Sequence, residues 1–525
     1  MDISKELAGL LLDMKEEQGL YKDYVSPEAT RIGARIVELL LPRAEEEKVD
    51  YAELLYNQIP REYPHQAVWW YSVLCAIDKK PDVLTEFIRF VNEHSECFSA
   101  NTLHFLFYQL KSLQFRYSEL SGIDVDYELG VFFSKTVEEF RRGVGSDLSY
   151  IPIEKRNNNL VLVITEQFIA IQHGPTKTAL DRCKILKTAM GKEVLLINTA
   201  EVLSQCGAIP FYGVTSGSYD PGKLYEKEQS WKGVNIPYFQ CTNNMPSIAT
   251  LRELLGDIRQ LAPCRVVSIG GSGILVNLVN DMIPVVTVGL TPSALEYTCT
   301  RYQTLGRAVT AEEQALLERL GQPQDSVVEG IFTSSLKPQE EYVTRTQLNI
   351  PEDAFVLSVI GARLDDEVTE EFLAMLEDVL EDGMYVVFVG NFSKYQEKMY
   401  KHSKLAAQAK CLGFCRDILS RVELCDLNIN PTRRGGGTSS VESLYKGIPV
   451  VSVDYGDVAI NIGKDFCVSD YAEMKDQIRK YYYNRDYYEE MSRKAKERAD
   501  LLLDSETEFV RIMKEVDKRE QEEMT

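Results

Sequence analysis

Apolar positions follow two rhythms along this chain. Up to about residue 155 they recur at helical spacing, as in Ala67-Val68-Trp69-Trp70-Tyr71-Ser72-Val73-Leu74 and Leu103-His104-Phe105-Leu106-Phe107-Tyr108, and glycines are sparse. This predicts an all-helical domain over residues 1–155, without strand alternation and without a fixed repeat. The rhythm changes at Asn157-Asn158-Asn159. Leu160-Val161-Leu162-Val163-Ile164-Thr165 is a continuous apolar run of the kind a strand buried on both faces needs. A loop from Glu166 to Thr176 follows, then a helix with Ala179, Cys183, Leu186 and Met190 on one face, stopped at Gly191. Val194-Leu195-Leu196-Ile197 is the next strand, and strand–helix–strand demands a right-handed crossover within a parallel sheet.

The same punctuation continues. Arg265-Val266-Val267-Ser268-Ile269 runs into Gly270-Gly271-Ser272-Gly273 and a helix from about Ile274, and Pro284-Val285-Val286-Thr287-Val288 is a further strand. Residues 310–347, charged and carrying Pro323 and Pro338, read as a link. A second series then begins: strands over Phe355–Ile360, Met384–Gly390 and Leu427–Asn430, closed by Pro449–Val453. The expected organisation is a helical domain (1–155), two Rossmann-like α/β domains (156–340 and 341–500) facing a cleft, and a terminal helix (501–525). Phe509, Ile512, Met513 and Val516 form the apolar stripe of that last helix, whose charged end should fray.

Composition narrows the function classes. The chain has 525 residues and a formal charge of −22, which opposes wrapping nucleic acid or lying on an anionic membrane. No apolar run is long enough to span a bilayer and the amino end lacks a signal-peptide pattern, so a cytoplasmic location is expected. Eleven cysteines fit reduced thiols in core positions. Cys411, Cys415 and His402 lack the second close pair that a zinc cluster requires, and no metal is expected.

The chemistry concentrates in Asn430-Pro431-Thr432-Arg433-Arg434-Gly435-Gly436-Gly437-Thr438-Ser439-Ser440-Val441-Glu442, which reads as strand end, glycine loop and helix start. Gly435, Gly436 and Gly437 let backbone approach a ligand, and the N–H groups of a helix opened by Thr438, Ser439 and Ser440 favour an anion such as a phosphate. Glu442, one turn in, is placed to reach sugar hydroxyls beside that phosphate.

Together with Gly361-Ala362-Arg363-Leu364 and Leu412-Gly413-Phe414, this motif resembles the nucleotide-sugar half of GT-B glycosyltransferases of families four and forty-one. The resemblance covers roughly residues 158–500. Many family-four enzymes carry two glutamates eight positions apart; here Glu442 fills the second position and Arg434 the first. Gly436-Gly437-Thr438-Ser439 with Glu442 is closer to the family-forty-one loop, and those enzymes glycosylate proteins, some behind a helical amino-terminal domain. The lysine that family four usually places five residues after Arg363 is Val368, which leaves Arg434 or Lys394 as its replacement.

The resemblance implies a transferase that moves a sugar from a nucleotide-diphosphate donor, UDP-linked, to a protein or glycan acceptor, without a cofactor or metal. Thr438, Ser439 and nearby N–H groups would hold the diphosphate, Glu442 the ribose, and Gly361 and Phe414 would border the donor. Arg363 would stabilise the leaving diphosphate, a role worth about 3–4 kcal/mol for one donor group. His173 is the candidate base or, equally, a hydrogen-bond donor to the diphosphate, with a ring cap on the following helix as the alternative. Gly174, Lys177, Gly271, Ser272 and Lys394 are candidate phosphate or acceptor contacts, with a solvated side chain the default for Lys177. Asp124-Val125-Asp126 has the spacing that holds a divalent metal in other sugar-transferring enzymes, but without a neighbouring strand or glycine loop it predicts a solvated turn. Two other classes stay open: an inactive glycosyltransferase-like binding subunit, and a sugar-nucleotide epimerase. Stacked helices in residues 1–155 suit acceptor or partner binding or oligomer contacts.

Overall fold

The computed structural model describes residues 3–17, 20–21, 24–171, 173–202 and 219–523. The chain forms two compact units. The first comprises Met1–Leu290, Glu296–Thr304 and Val309–Val328; the second comprises Thr291–Leu295, Leu305–Ala308 and Glu329–Thr525.

The first unit opens with helices Ile3–Glu16, Pro27–Leu40, Glu45–Tyr56, Pro64–Ile77, Pro81–Glu93, Ala100–Arg116 and Ile123–Val144. Proline in the first turn starts three of them, where its missing N–H costs nothing. Ser26 and Ser99 cap two starts by accepting the N–H groups of Ala29 and Thr102. Ala67–Ile77 is buried all round, so the aromatic run with Trp69 and Trp70 is core. A pair of two-residue antiparallel strands, Leu20–Tyr21 and Tyr24–Val25, interrupts the expected all-helical stretch. Asp124 and Asp126 lie in the first turn of a helix rather than in a solvated turn. Asp126 accepts hydrogen bonds from Gln114 and Tyr297, and Asp124 faces Arg319.

The helices share this unit with an eight-stranded sheet. Its order is Val327–Glu329, Tyr302–Leu305, Val285–Val288, Pro263–Ile269, Asn157–Thr165, Glu193–Asn198, Val234–Gln240 and Glu228–Trp231. Asn157–Thr165 pairs in parallel on both sides, which explains its unbroken apolar run. Glu228–Trp231 runs antiparallel to Val234–Gln240 at the edge, where alternating burial replaces that run. The segment read as a link contains a helix, Ala311–Arg319, with a Thr310–Glu313 capping box, and the edge strand Val327–Glu329. Helix Ile123–Val144 packs on Ile248–Leu261 and Ala311–Arg319. Arg141 pairs with Asp281 there at 2.8 Å.

The second unit carries six parallel strands in the order Ala409–Gly413, Met384–Gly390, Phe355–Gly361, Leu427–Asn430, Val450–Val453 and Cys467–Val468. Strand order reverses between Phe355–Gly361 and Leu427–Asn430, and the loops leaving their carboxyl ends diverge, which opens a crevice suited to a ligand. Helices Tyr471–Tyr483, Arg485–Leu503 and Ser505–Glu523 complete the unit. Phe509, Ile512, Met513 and Val516 are buried as the stripe requires, and the helix continues through its charged end to Glu523. Among the described residues no helix is long and apolar enough to cross a membrane, and the ten described cysteines are free thiols.

Candidate active site

At the switch point of the second unit, Gly361 ends one strand and Asn430 ends its neighbour. Gly361 pairs with Gly390, and a Cβ on Gly390, whose φ is +130°, would run into the Gly361 carbonyl. Arg363 follows as the residue before a short helix, Leu364–Glu367. Its guanidinium is not free for a ligand: it donates to Glu367 Oε1 at 2.8 and 3.1 Å.

The other Glu367 oxygen accepts from Arg433 at 2.6 Å. Arg433 also donates to Asn430 Oδ1 at 2.8 Å and to the Ile360 carbonyl at 2.7 Å, and it is only 7% exposed. A Cβ on Gly436, at φ +101°, would stand 2.7 Å from this guanidinium, and one on Gly361 would be closer still. These two glycines therefore make room for an arginine of the protein itself, whereas the sequence reading gave the room to a ligand. Arg433 was missed because an arginine beside Arg434 in a polar loop reads as solvated.

Arg434 takes the opposite course. Among the described residues its guanidinium has no hydrogen-bond or ion-pair partner, and its backbone carbonyl accepts the Asp457 N–H at 2.8 Å. Asp457 is buried, and its carboxylate accepts the Ser293 hydroxyl at 2.6 Å. Burial pushes its pKa up to about 6, opposed by the Ser293 hydrogen bond and by the charges of Arg434 and Arg363. The sequence offered no signal for Asp457, which lies in the first turn of helix Gly456–Ile462, after the strand that follows the motif.

Helix Gly437–Tyr445 starts one residue earlier than the Thr-Ser-Ser run suggests, behind Gly436 and with no side-chain cap. The hydroxyls of Ser439 and Ser440 donate back to the Gly436 and Gly437 carbonyls instead of capping. The N–H groups of Gly437, Thr438 and Ser439 have no acceptor among the described residues. A helix start of this kind offers convergent donors and the positive end of the helix dipole to an anion. Thr438 is exposed, Gly435 buried and Glu442 half-buried one turn in.

Two predicted contacts lie further along the sheet. Phe414 follows the strand Ala409–Gly413, two strands from Gly361, and is 64% exposed. Lys394 follows Met384–Gly390 with its N–H on Asp365 and its side chain exposed. Val368, where a family-four lysine would stand, is fully buried. His402 is held between Glu377 and Glu370 at 2.9 and 3.1 Å.

In the first unit His173 is the residue before helix Gly174–Thr188, but its ring does not cap that helix. Nδ1 lies 3.3 Å from Thr176 Oγ1, whose oxygen also accepts the Ile169 N–H. Burial, and then the charge of Lys177, lower the His173 pKa to about 4, so the ring is neutral at pH 7. Lys177 is 7% exposed, against the solvated default. Ser272 is fully enclosed. Its N–H donates to Glu166, and its hydroxyl accepts from Lys111 at 2.5 Å. Glu201 accepts the N–H groups of Ile274 and Leu275, so in the Gly270–Gly273 turn the protein's own carboxylates occupy the donors. Gly271 is packed against Glu296 and Thr298, where a Cβ would not fit.

Residues 342–498 match the family model of glycosyl transferases group 1. That match lies within the second unit. A mutant O-GlcNAc transferase of Thermobaculum terrenum is similar over 99% of this chain and 98% of its own, with a TM-score of 0.54 and 12% identity. That likeness shows the shared fold, which is GT-B behind a helical amino-terminal region. Alr3699/HepE of Anabaena, solved with UDP, is similar over 69% of this chain and 99% of its own, at a TM-score of 0.46 and 14% identity. No curated protein matches the chain. The matched segment spans Arg363, Arg433, Arg434, the open helix start, Glu442 and Asp457.

Proposed function

We propose that this chain transfers a sugar from a nucleoside-diphosphate donor, UDP-linked, to a protein or glycan acceptor. The observation that carries the reading is the open start of helix Gly437–Tyr445, preceded by Arg434: among the described residues three of its N–H groups lack acceptors and the Arg434 guanidinium has no hydrogen-bond or ion-pair partner. A diphosphate supplies the charge and the acceptor oxygens that such a start lacks. Glu442, a turn further on, accepts hydrogen bonds from the ribose hydroxyls. As the bond to the sugar breaks, negative charge builds on the diphosphate. Arg434 and the helix start stabilise it, and Arg363 adds its charge from beside Glu367. These groups provide charge neutralisation without a metal, and His173, neutral at pH 7, serves as the proton acceptor.

Turnover of a panel of UDP-, GDP- and dTDP-sugars, read by mass and with EDTA present, tests the reading. Release of UDP that depends on the donor and persists in EDTA is the expected result. Neither hydrolysis nor transfer with any donor, and no shift in melting temperature, would exclude it.

A second reading is a glycosyltransferase-like subunit that binds without turnover. It is favoured by the Arg363–Glu367 pair and by the buried Val368, which remove two positive charges from the crevice. Donor binding without turnover, with partner activity unchanged by Glu442→Ala, would select it.

A further inference from the structure

Asp457 places a carboxylate beside a helix start that is otherwise built of donors. Its helix, Gly456–Ile462, packs on helix Gly437–Tyr445. The Asp457 N–H donates to the Arg434 carbonyl at 2.8 Å, and a Cβ on Gly456, at φ +75°, would run into the Arg433 and Arg434 carbonyls. A Cβ on Gly437 would stand 3.4 Å from the Asp457 Cβ and 2.7 Å from Asn461 Nδ2. Asp457 and Asn461 are four residues apart and so share one face of their helix, and that face lies directly on the first residue of the open helix start.

The face offers acceptors. Asn461 is fully enclosed, and its Nδ2 donates to the Gly437 carbonyl at 3.1 Å, which turns Oδ1 away from that carbonyl. Oδ1 has no hydrogen-bond partner among the described residues. Asp457 is 6% exposed, and its carboxylate is served by one residue, Ser293, through the hydroxyl at 2.6 Å and the N–H. A carboxylate has about four acceptor sites, so capacity remains. Among the described residues no cation pairs with it directly; Arg434 and Arg363 act on it only as nearby charges.

A bare diphosphate gains nothing from this face. It brings acceptor oxygens only, and its charge repels the carboxylate. A diphosphate esterified to a polyol also brings hydroxyl donors. Backbone donors at the helix start, with side-chain acceptors beside them, match the two parts of a sugar phosphate. The ribose of the donor is met by Glu442 on the other helix, which leaves the transferred sugar as the hydroxyl-bearing part that Asp457 can meet.

We propose that Asp457, with Asn461 behind it, accepts hydrogen bonds from hydroxyls of the donor's sugar and makes the site distinguish a sugar-bearing diphosphate from a bare one. The inference rests on the sugar-transfer reading and adds a specificity-determining residue to it.

Calorimetric titration of the full chain with UDP, and with UDP-glucose, UDP-galactose and UDP-N-acetylglucosamine, tests this. The wild-type chain is expected to bind at least one of the three sugar nucleotides. Asp457→Asn should bind that one about tenfold more weakly or worse, because a hydrogen bond to a charged acceptor is lost. The same variant should bind UDP as tightly as the wild type or more tightly, because a like charge is gone. A merely structural role would disturb the helix start and weaken both ligands together. Equal weakening of both, or an unchanged affinity for the sugar nucleotide, overturns the proposal. A wild-type chain that binds UDP but none of the three sugar nucleotides also overturns it and leaves the diphosphate grip standing. A wild-type chain that binds neither removes the sugar-transfer reading itself, and this inference with it.

Discussion

Glu367 and Arg433 form an ion pair 2.6 Å long, six residues past one strand end and three past the next, with both side chains almost completely enclosed. The pair links the two loops that border the crevice, and Arg363 shares the same carboxylate. Its strength comes from enclosure, because the Ile360 carbonyl and Asn430 satisfy the remaining guanidinium donors.

Removing the carboxylate should therefore unfold this corner before it alters any ligand contact. Glu367→Ala leaves the Arg433 charge buried and is expected to cost about 3–5 kcal/mol. Urea unfolding of the variant checks this; a midpoint within error of the wild-type value would contradict it.

The glycines predict effects of opposite sign. Gly436→Ala places a Cβ 2.7 Å from the Arg433 guanidinium at a φ of +101°, so both stability and donor binding should fall. Gly256→Ala, inside helix Ile248–Leu261 with nothing within 4 Å of the added atom, should stabilise by up to about 1 kcal/mol. Thermal melting of the two variants side by side decides.

Asp457 gives a pH signature. Its folded pKa of about 6 lies above the unfolded value, so the folded chain takes up this proton first as the pH falls. The contribution of Asp457 to stability should therefore improve from pH 7 down to pH 4. Asp457→Asn should exceed the wild type by about 2–3 kcal/mol at pH 7, and the difference should vanish near pH 4. Denaturant unfolding at the two pH values reads it, and a gap that widens in acid would reverse the assignment.

Arg434 is the test of the donor grip. Arg434→Ala should weaken UDP binding by about tenfold or more, with Arg434→Lys intermediate, since an ammonium keeps the charge and loses the bidentate fork. Calorimetric titration with UDP measures it. An unchanged affinity in Arg434→Ala would remove this residue from the site.

Much of the frame was legible in the chain. Leu160–Thr165 and Phe355–Ile360 announced parallel strands because a strand covered on both faces has no polar positions to alternate with. The edge strands Glu228–Trp231 and Cys467–Val468 were not legible, since two to four residues half-covered by neighbours carry too little pattern. The glycine motif likewise announced an open helix start, because backbone N–H groups at a helix start need acceptors whatever surrounds them.

Side-chain partnership was beyond the sequence. The chain by itself determined two parallel α/β series, a helical beginning and a phosphate-competent loop, all of which follow from local periodicity and backbone chemistry. Only the tertiary structure decided that Arg433 is buried on Glu367 while Arg434 is left open, and that Asp457 joins the crevice. Adjacent arginines are equivalent in sequence. What separates them is which side of the strand end each faces, and that is set by residues some 70 positions away, such as Ile360 and Glu367.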